Sequence, residues 1–193
     1  MVVLPDPEVK LRPITVAELD RMVQEGILGE DDRVELLAGA LAVMSPRSPE
    51  HAAVLHELLR LLAPPAIAAG LRISSRSPLG VGQELSRPEP DLALAPRPEP
   101  GRHPSGALLV VEVAIGSRAL DLGAKAAIYA RAGVTDYWVV DVSARELVVH
   151  REPVADRFRL VRRLAEGESV APLAVAAQVA VSDLLVDVPA APR

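Results

Sequence analysis

The segment Ala107-Leu-Leu-Val-Val-Glu-Val-Ala114 carries a single charge, Glu112, inside an otherwise unbroken apolar run. A strand with one wet face alternates polar and apolar residues; a run this apolar is covered on both faces, as in the centre of a layered sheet. A central strand rarely spends an interior position on an unpaired glutamate, because an isolated buried carboxylate is costly. The segment therefore fixes a doubly covered sheet and demands a partner for Glu112.

A partner is suggested by lysine usage. The chain has two lysines against nineteen arginines, so a retained lysine is informative where arginine is the default cation. Lys125 lies in Asp121-Leu-Gly-Ala-Lys-Ala-Ala-Ile-Tyr-Ala-Arg-Ala-Gly133, which reads as a helix ending at a C′ glycine. It shares that helix's apolar stripe with Leu122, Ala126, Tyr129 and Ala132. A lysine on a core face reaches a carboxylate, a cleft or a ligand, unless its stem covers apolar surface while the ammonium stays in water.

The acids lie upstream: Asp91, closing Arg87-Pro-Glu-Pro-Asp91, and Glu112. On neighbouring strands they would suit magnesium, which takes one or two carboxylates plus carbonyls and waters. Such an ion polarises a phosphate and lowers the pKa of bound water. A lysine alongside can orient that water or neutralise charge developing on phosphorus. The set Asp91, Glu112 and Lys125 thus has the chemistry of a metal-dependent phosphodiesterase, with Mg2+, or Mn2+ in its place, as the expected cofactor.

A length of 193 residues suits one domain, 1–193, with a frayed tail over 187–193. Aromatics make up 2% of a chain that is 50% hydrophobic, so the core is built from Ala, Val and Leu. Cysteine is absent, which excludes disulfides, thiolate metal sites and cysteine nucleophiles. With no leader and no apolar run of membrane length, a soluble cytoplasmic protein with no membrane partner is the expectation. The net charge of −5 offers no global attraction to nucleic acid, which must be met by local arginines or bound cations.

Along the chain, Thr15-Val-Ala-Glu18 reads as a capping box for a first helix, with Ile14 and Leu19 as its hydrophobic staple. Residues 34–44 read as a hairpin turning at Ala38-Gly39. Ser48-Pro49 opens a second helix over roughly 48–62, striped by His51, Leu55, Leu58 and Leu62 and expected to stop before Pro64-Pro65. Strands follow at Leu71–Ser75, Asp91–Ala95 and 107–114, then the lysine helix, then strands at Asp136–Asp141, Glu146–His150 and Phe158–Leu164. A last strand or short helix is expected around Val179–Val186. This order predicts an α/β domain with one central mixed sheet flanked by helices.

The string Pro90-Asp91, Val-Val-Glu112-Val-Ala, then Asp121-x-x-x-Lys125-x-x-x-Tyr129-x-x-x-Gly133-Val-x-x-Tyr137-Trp-Val-Val-Asp141 resembles the Uma-two restriction-endonuclease family, a bacterial branch of the PD-(D/E)XK nuclease superfamily. The likeness extends to Glu35-Leu-Leu-Ala-Gly-Ala-Leu and to Met44-Ser-Pro followed by His51, about 150 residues in all. It implies a restriction-endonuclease-like core, Asp91 and Glu112 as metal ligands and Lys125 as the catalytic lysine. Two departures stand out. A simple Glu-x-Lys would place the lysine at 114, where this chain has Ala114, so the resemblance implies a lysine moved to the following helix. Ala38 stands where an acidic or turn-forming residue is usual.

Other residues have simpler readings alongside a place near the site. Asp121 reads first as the N-cap of the lysine helix. His51 reads as a hydrogen-bonded histidine of its stripe, in a first turn that can face the site. Glu35 is balanced between a solvated hairpin carboxylate and a neighbour of the metal. These three are the candidates for supporting the site. Tyr129, Tyr137 and Trp138 are explained by core packing. Arginines at 72, 76, 87, 97 and 102 could contact phosphates. The leading expectation is an endonuclease acting on double-stranded DNA as a homodimer. The alternatives are a nuclease-fold protein that binds nucleic acid or assembles without efficient cleavage, and a hydrolase of small phosphoesters, which would need a deep closed pocket.

Overall fold

The computed structural model describes residues 11–29, 32–44, 48–99, 101 and 103–185; the tail expected to fray and Arg102 lie outside them. Helix α1 (Val16–Gln24) begins at the expected capping box: Thr15 Oγ1 accepts from the Glu18 N–H and the Glu18 carboxylate accepts from the Thr15 N–H. The hairpin of β1 (Val34–Leu37) and β2 (Ala40–Val43) turns at Ala38 and Gly39, with φ of 48° and 84°. Two successive left-handed residues are what a two-residue type I′ turn requires.

Helix α2 (Pro49–Ala68) starts as its sequence predicts, with Ser48 accepting from the His51 N–H. It does not stop before Pro64-Pro65 but runs through both. Prolines remove two helix donors, yet Leu62 and Ala66 on either side of them are fully buried in the core. That tertiary burial outweighs the local penalty. The true stop is Gly70, at φ 72°. Its N–H donates to the Ile67 carbonyl and that of Leu71 to Ala66, the two bonds of a Schellman end.

A six-stranded sheet runs in the order β3 (Arg72–Ser74), β4 (Leu92–Ala95), β5 (Leu109–Ala114), β6 (Asp136–Asp141), β7 (Glu146–Val154), β8 (Arg157–Ala165). The β5–β6 pair is parallel and the others are antiparallel, so the sheet is mixed as expected. Every residue of β4, β5 and β6 is buried. The crossover from β5 to β6 is the lysine helix, in three pieces: α3 (Arg118–Leu120), a π-helical turn (Asp121–Lys125) and α4 (Ala126–Arg131). The N-cap position falls on Ser117, which corrects the reading of Asp121. Asp121 is instead turned inward, and its carboxylate accepts the Ser117 hydroxyl at 2.6 Å. The C-terminal segment resolves as both expected forms in succession: β10 (Val179–Ala180), paired with β9 (Ser169–Val170), then α5 (Val181–Leu184).

Strand alternation sorts the core into two layers. Leu109, Val111 and Val113 pack with Leu58 and Leu62 of α2, while Val110 and Ala114 pack with Ala126, Ile128 and Tyr129 of α4. Glu112 belongs by parity to the second face. A strand with side chains of period two therefore aims its one charge at the helix that carries Lys125.

Candidate active site

Glu112 and Asp91 meet because β4 and β5 pair with Leu92 opposite Val111. Asp91 sits just before β4 and accepts the Val113 N–H on Oδ2 at 2.8 Å, which ties it to the edge of β5. Its other oxygen lies 3.0 Å from His51 Nε2, delivered by the first turn of α2. Lys125 Nζ is 3.1 Å from Glu112 Oε1 and 3.0 Å from Glu35 Oε1, with Asp121 Oδ1 at 3.9 Å. The hairpin supplies Glu35, whose Oε2 also accepts the Glu89 N–H. All six of these side chains line one cavity of about 150 Å³.

The three residues first singled out and the three supporting candidates thus converge, though in unequal roles. The expected solvated alternative for Glu35 does not hold, since it is 4% exposed and in contact with the lysine. Nor does Lys125 snorkel; it is 4% exposed. Tyr129 does more than pack: its hydroxyl donates to Glu112 Oε1 at 2.7 Å. Its spacing of four from Lys125 was the available signal, because i and i+4 stand on one helix face. The Tyr137 hydroxyl donates to the carbonyl of Asp121 at 2.7 Å and so anchors the π-helical turn. Arg33 also lines the cavity. It lies two residues before Glu35, on the same side of an extended chain, and that spacing was the signal missed.

Of the arginines flanking the Asp91 strand, Arg87 is taken up by Asp20 at 2.6 Å. Arg72 is exposed on edge strand β3. Arg76 is half-buried with its Nε lacking a partner among the described residues.

Charge in the cavity is unbalanced: Glu35, Asp91, Glu112 and Asp121 are all buried around one lysine. Burial raises Glu112, Lys125 offsets this only partly, and Asp91, Asp121 and Glu35 add to the rise, so its pKa stands at about 8. Burial likewise lifts Asp121, against the opposing Ser117 hydrogen bond and Lys125. Burial also pushes Asp91 upward, but the His51 hydrogen bond and charge, the Val113 N–H and Lys125 outweigh it and hold its carboxyl below the ordinary range. Lys125 is kept above its ordinary value, because Glu112, Glu35 and Asp121 overcome its desolvation. It is a firmly charged ammonium. Among the described residues, no group of three or more His, Asp or Glu forms a ready cage for a metal ion.

A mixed sheet with one acid at the start of a strand and another within its neighbour, facing a helix-borne lysine in one cavity, defines a nuclease-like α/β domain. A family model described as "Uma2: Putative restriction endonuclease" matches residues 16–184, and the chain belongs to that family. The fold is shared with a crystal structure of a putative nuclease belonging to DUF820 from Anabaena variabilis ATCC 29413. That protein is 15% identical, with 90% of this chain and 98% of the other covered at a TM-score of 0.71. No functionally curated protein matches the chain. Among the described residues no helix is long and apolar enough to cross a membrane.

Proposed function

We propose that the chain is a divalent-metal-dependent endonuclease that hydrolyses phosphodiester bonds of double-stranded DNA, with Asp91 and Glu112 as metal ligands and Lys125 as the catalytic cation. The observation that carries this reading is the excess of buried carboxylate around Lys125, with Glu112 raised to about 8. A cavity that holds one of its acids protonated for want of positive charge is a cavity suited to a cation. The absence of a three-residue cage does not oppose magnesium, which is commonly held by one or two carboxylates with waters. Both Lys125 and Tyr129 use Oε1 of Glu112, which leaves its Oε2 outside those contacts; Glu112 and Asp91 would hold the ion.

When bound, magnesium or manganese would polarise the phosphate and supply a water of lowered pKa. The protein's own groups do the rest. His51 and the Val113 N–H fix the orientation of Asp91. Tyr129 fixes Glu112. Glu35 and Asp121 hold the ammonium of Lys125 in place and charged, so that it can neutralise negative charge developing on the phosphate oxygens. Family membership supports a phosphodiester substrate. The homodimer belongs to the same proposal, since two symmetric sites address two antiparallel strands.

The test is plasmid nicking in magnesium or manganese, comparing the unaltered protein with Asp91→Ala. Nicking that requires the ion and is lost in the variant is expected. Ion-independent nicking, or full activity in Asp91→Ala, would overturn the assignment. DNA binding without nicking would favour the alternative of a nuclease-fold binding protein.

A further inference from the structure

Among the described residues, Arg33 is the arginine that lines the acid cavity. Elsewhere half-buried arginines are held by acids, Arg87 by Asp20 at 2.6 Å and Arg151 by Asp136 at 2.8 Å, with Arg76 an exception away from this cavity. Arg33 is half-buried and lines the cavity beside Glu35, Glu89, Asp91, Glu112 and Asp121. Yet its guanidinium makes no hydrogen bond or ion pair among the described residues. Arg33 thus lines an acid-rich cavity without pairing with any of its described acids. Its backbone is fixed: the Arg33 carbonyl accepts the Met44 N–H at 2.8 Å, which extends the hairpin ladder by one rung. The hairpin is itself held by the Leu36–Arg87 bridge and by the Gly39 N–H donating to the Leu85 carbonyl.

We propose that Arg33 is the anchor for substrate phosphate at this site, binding non-bridging oxygens of the phosphodiester backbone at the mouth of the cavity. The inference rests on the nuclease reading above and adds to it a binding residue on the hairpin. The planar fork of a guanidinium matches two oxygens of one phosphate, and a charge-assisted pair of this kind is about twice as strong as a neutral hydrogen bond. The two cations divide the work by position. Lys125, locked among Glu35, Glu112 and Asp121, is placed to act on the reacting group. Arg33, without such partners among the described residues, is placed to hold the strand.

The experiment follows fluorescence anisotropy of a labelled duplex over a salt series without divalent ion, and nicking kinetics in magnesium, for the unaltered protein, Arg33→Ala, Arg33→Lys and Arg21→Ala. Arg21 is an exposed residue of α1 and controls for the loss of one positive charge. In Arg33→Ala, binding is expected to weaken about 10-fold, and the slope of log affinity against log salt to fall by about 1. KM should rise while kcat changes less, Arg33→Lys should recover part of the loss, and melting temperature should stay unchanged. Unaltered affinity, salt slope and KM in Arg33→Ala would overturn the anchor while the nuclease reading stands. So would an equal loss in Arg21→Ala, which would reduce the effect to net charge. If the unaltered protein neither binds nor nicks the duplex, the nuclease reading fails and the anchor fails with it.

Discussion

Lys125 is 4% exposed, with its ammonium 3.0 Å from Glu35, 3.1 Å from Glu112 and 3.9 Å from Asp121. Its stripe position pointed to a carboxylate partner and left Asp91 and Glu112 as the candidates; the structure seats it on Glu112 and adds Glu35 and Asp121. Replacing it separates charge from shape. Lys125→Ala should keep metal binding in calorimetry and lower turnover by about 100-fold or more, as loss of one preorganised electrostatic group does. Lys125→Arg should fold and still be impaired, because the guanidinium differs in shape and hydration from an ammonium held between Glu35 and Glu112. Full activity of the arginine variant in the nicking assay would leave Lys125 with no more than a neutralising role. Asp121 was misread for a physical reason: an Asp opening a helical run is ordinarily its cap. The π-helical turn moved the helix start back to Ser117 and left Asp121 facing the ammonium.

At the scale of elements, the hairpin carries both Glu35 and Arg33 into the site, so its turn controls the chemistry at a distance. Ala38 adopts φ 48° without the side chain that eases a left-handed conformation. Asn tolerates that region better than Ala and suits the first position of a type I′ turn. Ala38→Asn should therefore raise stability by roughly 0.5–1 kcal/mol in urea unfolding. Gly39→Ala should do the reverse. A Cβ there would stand 2.4 Å from Cβ of Pro13 at a φ of 84°, and a loss of more than about 1 kcal/mol is expected, with weakened nicking as the hairpin shifts. A variant as stable as the parent would show that the Pro13 contact yields easily. Helix α2 teaches the complementary lesson: Pro64-Pro65 reads as a stop in any local analysis, and only the burial of Leu62 and Ala66 overrides it.

For the whole molecule, the buried acids link folding to pH. The folded pKa of Glu112, about 8, stands above its ordinary 4.5, so the native state holds this proton more firmly than the unfolded chain. Stability then falls as pH rises between those values. Asp121 acts with the same sign, and Asp91, with its pKa lowered, acts oppositely in a more acidic range. The melting temperature of the metal-free protein should decrease from pH 6 to pH 8. Magnesium should restore it, and by more at pH 8, because the ion stabilises the ionised acids. A metal-free melting curve insensitive to pH over this range would mean that Glu112 is not held protonated. The proposed homodimer is tested separately, by light scattering coupled to size exclusion, where a mass of twice 20.5 kDa is expected.

Sequence alone determined the features that depend on local pattern. The unbroken run around Glu112 fixed a doubly covered strand, and capping and turn residues fixed where α1 and the hairpin begin and turn. Helical spacing joined Lys125 and Tyr129 on one face. Tertiary structure decided what depends on residues distant in the chain: the continuation of α2 through its prolines, the inward turn of Asp121, the pairing of His51 with Asp91, and the delivery of Glu35 and Arg33 from a hairpin outside the main sheet. The physical reason is the same in each case. Periodicity records which way a side chain points, but which partner stands there is settled only when burial brings separate elements together.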